Sequence, residues 1–493
     1  MDWLILPPIL LPFGGVALSL FLRKNRWLQP KAALATILLS LGFSSWLAWT
    51  VLSAPQALVL QAGDWAAPFG ISLVADPLSV FMLVMTQLVI ASGILYANDS
   101  TEKVVQYPTF YPLFLGLATG LSGAFLTGDL FNLFVFAEVI VISGSTLTAI
   151  ADDKYGVEAA YKYFLISTVA AAMFLLGIGA LYASYGTLNL AGLGQEIAAA
   201  GALQPLALAG LAFLTATFLT KSAVFPFHFW QPDFHAAAPT PISAMLSSVV
   251  VKIGVYGFLR MTSLLFVNEA EILRNLLVIL GVVGVIYGGF GAAGTHNAKR
   301  MLAYSTLSQI GFILVGIGIG TPLSLAAALV FTFNHSLIKA AMLMLAGAMA
   351  SRAPVKSAAF DVLVGVGKTS PAAGILFLLG GMALAGIPPT NGFISKLGIF
   401  WSGIASADYL PIAIIGVASL MTLFYVISAF MKIWYEQNPE IKPKTGDQLL
   451  APALLVILCL VLGIWGEPLV SSAQIVAAWL GDPSLYISAI LAP

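Results

Sequence analysis

Residues 247–258 read SSVVVKIGVYGF and residues 335–347 read HSLIKAAMLMLAG, two apolar stretches that each carry one lysine away from any turn signal. A cation at the centre of a membrane helix costs about 2.5–3.5 kcal/mol even on a lenient insertion scale. Both stretches belong to apolar runs of roughly 20 residues, long enough to cross a hydrocarbon core of about 30 Å as a helix. Such runs recur along the whole chain. With 60% hydrophobic and 9% charged residues among 493, the composition excludes a water-soluble globule with a charged shell. The alternating segments of a spanning barrel, roughly 10 residues each, are absent. The expected fold is therefore an all-α integral membrane protein.

About fourteen transmembrane helices are expected, at 4–22, 32–52, 77–97, 109–127, 130–150, 162–184, 204–229, 240–262, 272–293, 301–319, 322–349, 371–402, 410–431 and 450–467. An even count puts both termini on one side, and basic residues mark the cytoplasmic loops. Alternate loops hold 15 of the 21 basic residues: Arg23, Lys24, Arg26, Lys31, Lys103, Lys154, Lys162, Lys299, Arg300, Arg352, Lys356, Lys368, Lys432, Lys442 and Lys444. The opposite set holds only Arg260 and Arg274. Both termini are thus expected on the non-cytoplasmic side of the plasma membrane. The first apolar run, LILPPILLPFGGVALSLFL, leads to a basic loop with no small-residue cleavage site, so no cleavable signal is expected. The single cysteine, Cys459, lies in an apolar run and reads as packing.

The remaining four basic residues, Lys221, Lys252, Lys339 and Lys396, fall inside expected spans. Snorkelling to the interface suits a lysine near a helix end; Lys252 and Lys339 have apolar turns on both sides. A structural ion pair is the other bland reading. Glu138, in FNLFVFAEVIVIS, is the only carboxylate expected well inside a span, and one acid does not neutralise four lysines. The surplus implies that some of these amines lose and regain protons, which makes them proton carriers. His335 lies four residues before Lys339 and shares its helical face, within reach of direct or water-mediated proton exchange. His228 and His235 flank the turn FPFHFWQPDFHAAAP, where they are candidate proton-uptake residues. Their spacing brings no third ligand, so a metal site is not expected.

Pro226 follows Lys221 by five residues, while Pro388 and Pro389 precede Lys396 in LAGIPPTNGFISK. Helix breaks at matching positions of two halves are the sequence sign of inverted repeats around a mid-membrane cavity. Proline and glycine are common in membrane helices, but that does not explain their pairing with lysines. The chain divides into residues 1–108 (helices one to three), 109–262 and 263–432 (two inverted five-helix repeats, each with a broken helix), and 433–493 (the last helix and a short tail). The segment LVGVGKTSP at 363–371 ends like a phosphate-binding loop, but the motif's first glycine falls on Val362 and no strand precedes it. Ser370–Pro371 reads instead as a helix start. No haem, flavin, iron–sulfur or nucleic-acid signature is present, and no cofactor is expected.

Four stretches together carry a resemblance: TGDLFNLFVFAEV at 127–139, KSAVFPFHFWQPDFHAAAPTPISAMLSSVVVKIGVYG at 221–257, KRMLAYSTLSQIG at 299–311 and GIPPTNGFISK at 386–396. The chain resembles, over nearly its full length, the proton-conducting antiporter-like subunits shared by Mrp-type Na+/H+ antiporters and respiratory complex I. Ala137 departs from the pattern, where a second aromatic often precedes the glutamate. The resemblance implies a Glu138–Lys221 switch, a central relay of Lys252, His335 and Lys339, and a terminal lysine, Lys396. It also implies that the chain works beside other membrane subunits, exchanging H+ for a monovalent cation such as Na+. A subunit of a redox-driven complex, an NADH-quinone oxidoreductase or a membrane-bound hydrogenase, is the alternative. A purely structural scaffold would not need four buried lysines.

Overall fold

The computed structural model describes residues 1–150, 153–436 and 445–491. Lys442 and Lys444, expected in the cytoplasmic loops, lie outside the described residues. The chain is a bundle of long apolar helices. In order these are α1 (Pro7–Phe21), α2 (Leu28–Ser53), α3 (Pro77–Asn98), α4 (Phe110–Leu126), α5 (Leu130–Ala149), α6 (Lys154–Tyr185), α7 (Leu190–Ala200), α8 (Pro205–Lys221) and α9 (Trp230–Ala237). There follow α10 (Thr240–Leu265), α11 (Ala270–Gly294), α12 (Ala298–Ile319), α13 (Pro322–Arg352), α14 (Pro371–Ala385), α15 (Asn391–Ala405), α16 (Tyr409–Tyr435), α17 (Leu450–Ile464), α18 (Glu467–Leu480) and α19 (Pro483–Leu491).

Among the described residues nine helices are long and apolar enough to cross a membrane, or up to eleven if bent pairs count as single spans. Three shorter apolar helices, α1, α4 and α8, accompany them.

The boundaries have local causes. Proline opens α3, α8, α13 and α14, where its missing N–H costs nothing. Asp76, Asp129, Asp153 and Asn297 accept hydrogen bonds from the first-turn amides of α3, α5, α6 and α12. Gly320 ends α12 with φ 72°, a left-handed conformation that glycine adopts without a Cβ penalty.

Three features depart from the sequence reading. A two-stranded antiparallel hairpin, β1 (Leu58–Gln61) and β2 (Ser72–Ala75), interrupts the all-α expectation. The amphipathic helix α7 fills the loop after α6. Residues after 467, expected as a short tail, form α18 and α19, and α17 and α18 meet at 78°. Their polar serines and the glycines and prolines between them dilute the apolar run, so they do not read as spans. The phosphate-loop look-alike is a short turn, Val366–Thr369, leading into α14.

The middle of the bundle is formed by α10, α12 and α13. The apolar windows of α10 and α13 are wholly buried, whereas that of α16 is only 28% buried. The helices that carry Lys252 and Lys339 are therefore surrounded by protein, and outer helices present leucine, valine and aromatic side chains outward. Close approach depends on small residues: a Cβ on Gly254 of α10 would collide with Ser222 Oγ and the Phe218 carbonyl of the α8 end.

Candidate functional site

Glu138 stands in the middle of α5 and Lys221 is the last residue of α8. Their charged atoms lie 3.5 Å apart. Neither Lys221 Nζ nor Glu138 Oε1 has a closer hydrogen-bond partner among the described residues. α8 stops at Lys221 because the chain turns through Ala223, at φ 52°, before Pro226, so the lysine stands at a helix C-terminus buried in the bundle. A helix C-terminus carries partial negative charge, which favours a cation there. The small cavity at Lys221 is lined by Tyr163, Ser167, Trp230, Val250 and Ile253. Ile253 adjoins Lys252, so this cavity reaches the next lysine's helix.

Lys252 and Lys339 are fully buried. Lys252 Nζ lies 2.6 Å from His335 Nδ1. If the amine is charged, the ring nitrogen must accept; if the amine is neutral, either group can hold the shared proton. His335 and Lys339 share a face of α13 as expected. The hydrogen bond of His335, however, goes across to α10, while Lys339 donates to the Leu302 carbonyl at 3.1 Å and to Ser305 Oγ at 2.8 Å. Ser305 also accepts from the Tyr425 hydroxyl at 2.7 Å.

A narrow cavity then joins His335 to Lys396, lined also by Gln309, Asn334, Asn391 and Ser395. Asn334 donates to the Asn391 carbonyl at 3.0 Å and to Ser395 Oγ at 2.6 Å, and Asn391 Nδ2 returns to Asn334 Oδ1 at 2.9 Å. Lys396 donates to the Ala385 carbonyl at 2.9 Å, an acceptor freed by the break at 386–390, and lies 4.9 Å from the Phe312 ring centroid. It is only 4% exposed, so it does not snorkel.

His228 packs between the rings of Phe225 and Tyr287. His235 Nδ1 lies 3.1 Å from Ser243 Oγ. Burial, with Lys339 and Lys299 nearby, pushes the His235 imidazole down to about 3, so it is neutral at ordinary pH. Both histidines lie beside the break between α8 and α10, and among the described residues no hydrogen bond or ring contact joins them.

Several polar partners escape the sequence reading. Arg260, counted with the loop residues, is buried in α10 and bound by two hydrogen bonds to the buried Asp76. Glu102 is buried and accepts from the Thr240 hydroxyl at 2.6 Å and amide at 3.2 Å, at the N-terminus of α10. The signal that could have found Ser305, Gln309 and Asn334 is polar residues inside apolar spans. Nothing in sequence pairs Asp76 with a residue 184 positions away.

Fold and site together define a multi-span helical membrane protein with a row of ionisable and polar side chains buried across its middle. The chain belongs to the family described as NADH:quinone oxidoreductase/Mrp antiporter, TM, whose model matches residues 127–422. A curated relative from Alkalihalophilus pseudofirmus, the D-type subunit of a Na(+)/H(+) antiporter, is 32% identical over 100% of both chains. A chain of the membrane-bound sulfane sulfur reductase, an archaeal respiratory membrane complex, superposes with a TM-score of 0.91 at 27% identity over 100% of both chains. A chain of the Mrp complex from Dietzia sp. DQ12-45-1b gives a TM-score of 0.89 at 24% identity over 99% of both, a likeness of fold.

Proposed function

We propose that this chain is a D-type, proton-translocating membrane subunit of a multisubunit Na+/H+ antiporter. The observation that carries the reading is the near-continuous row from the Glu138–Lys221 pair, through Lys252–His335 and Lys339–Ser305, to Lys396. The full-length similarity to a Na(+)/H(+) antiporter component supports the coupled ion being Na+. In this reading Glu138 holds the Lys221 ammonium when close. When the pair opens, the proton moves to the Lys252–His335 pair, on to Lys339 and Lys396, with water bridging the gaps. His228 and His235 take up protons at the first break. Neighbouring membrane subunits, carried in the same bilayer, complete the exchange path and are coupled through charge.

The same reading includes fourteen crossings of the plasma membrane: the nine long helices, the three shorter ones, α14 and α15 as one broken span, and α17. Both termini face away from the cytoplasm. Residues 109–262 and 263–432 form inverted five-helix units, supported by breaks beside Lys221 and Lys396 in opposite order along the chain. The high TM-score to a respiratory complex favours a second reading, a redox-driven proton pump subunit.

The deciding measurement is Na+-dependent collapse of an imposed pH gradient in vesicles holding the whole assembly. Exchange that needs no electron donor and vanishes in Lys221→Ala supports the antiporter. Wild-type silence until a reductant is added transfers the chain to the redox reading, and normal exchange by the variant sinks the lysine path.

A further inference from the structure

Lys252, Tyr256 and Arg260 recur at every fourth residue of α10 and so share one face, running from the middle of the bundle to the end of the helix at Leu265. Such a column looks like a wire out of the membrane. Its hydrogen bonds say otherwise. Tyr256 donates to the Phe125 carbonyl and accepts from Arg260 Nε at 3.1 Å. Arg260 gives three further donors to Asp76, at 2.7 and 2.6 Å, and to Ser79 Oγ at 3.1 Å. Asp76 in turn accepts from the Ser79 amide and hydroxyl and from Trp479 Nε1. The rings of Tyr256 and Tyr486 flank the guanidinium at 5.1 and 4.8 Å.

A proton wire needs each member to accept a proton from one side and release one to the other. A guanidinium has five donors, no acceptor lone pair, and keeps its proton in proteins. Asp76 has each carboxylate oxygen already occupied by donors. The column is broken at Arg260 by chemistry, and its side chains are buried.

We propose that Arg260, clamped by Asp76, is a proton block at the end of α10, obliging a proton on Lys252 to leave sideways through His335. The inference rests on the proton-relay reading above, but its readout needs no Na+. It assigns a direction-setting role to a pair outside the relay.

The test is passive collapse of a pH gradient, without Na+, in vesicles holding the complete assembly. Arg260→His puts a group that both accepts and releases protons in the column and should raise the leak several-fold. The double variant Asp76→Asn/Arg260→Gln, which leaves no unpaired buried charge and supplies no group that both accepts and releases protons, should stay tight. Adding Lys252→Ala to Arg260→His should restore tightness. Trp479→Phe, which loosens the clamp but keeps the guanidinium, should stay tight. An assembled Arg260→His variant that leaks no more than wild type, or a double variant that leaks as much as the histidine variant, overturns the proposal. Failure of Arg260→His to assemble overturns it too, making the pair a structural latch. A wild type without Na+-dependent exchange would count against the antiporter reading and leave the leak comparison intact.

Discussion

Lys252 and His335, 83 residues apart, meet through one 2.6 Å contact in the centre of the bundle. Two helices that are wholly buried bring an amine and an imidazole within proton-sharing distance. Each is the other's main polar partner, since His335 Nε2 has no hydrogen-bond partner among the described residues. Removing either side chain leaves the other buried and unpaired, at a cost of about 1–3 kcal/mol. Lys252→Ala and His335→Ala should each lower the unfolding midpoint of the detergent-purified assembly and abolish exchange. The double variant should be less destabilised than the two losses added, as a thermal melt of all four proteins would reveal.

A second expectation separates charge from proton transfer at the two ends of the row. Arginine keeps its proton, whereas lysine can release one. Lys221→Arg and Lys396→Arg should therefore assemble normally but exchange as poorly as the alanine variants in the vesicle assay. Wild-type rates in either arginine variant would mean that only a fixed positive charge is needed there.

Glu138 tests the switch. The 3.5 Å separation, with no hydrogen-bond partner for Lys221 Nζ or Glu138 Oε1 among the described residues, is the contact that the proposed switch would open and close. Glu138→Gln removes the charge while keeping the shape, and exchange should fall at least tenfold, about 1.4 kcal/mol in barrier terms. Glu138→Asp, which keeps the charge but shortens the reach, should retain part of the rate.

Ser305 links Lys339 to Tyr425 through two hydrogen bonds. Ser305→Ala removes a buried acceptor from both Lys339, which keeps the Leu302 carbonyl, and Tyr425, so stability should fall by about 1–3 kcal/mol. Tyr425→Phe removes a donor and leaves Ser305 bonded to Lys339, so its effect should be smaller. Equal losses in chemical denaturation would show that the serine does not join the two.

Packing gives the last expectation. Gly254 has no room for a methyl group against α8, while Gly42 of α2 has open space within 4 Å. Gly254→Ala should destabilise by about 1–3 kcal/mol through overpacking and displace Lys221, lowering exchange. Gly42→Ala should be close to neutral in both assays.

The sequence by itself was enough to identify a helical membrane protein, because apolar length is dictated by bilayer thickness and needs no partner to be read. It also singled out Lys221, Lys252, Lys339, Lys396, Glu138 and His335, since an ionisable group in an apolar span carries a cost that stands out residue by residue. Even the helix break at Pro388 and Pro389 is a local property. What it could not decide was who touches whom. The nearer candidate, Lys339, lies one turn from His335, yet α10 delivers Lys252 to that ring and Ser305 takes Lys339. Arg260 was counted with the loop residues, and only the folded bundle joins it to Asp76. Pairings between helices are set by how apolar faces and small residues pack across the whole bundle. That is a collective outcome, and no stretch of sequence contains it.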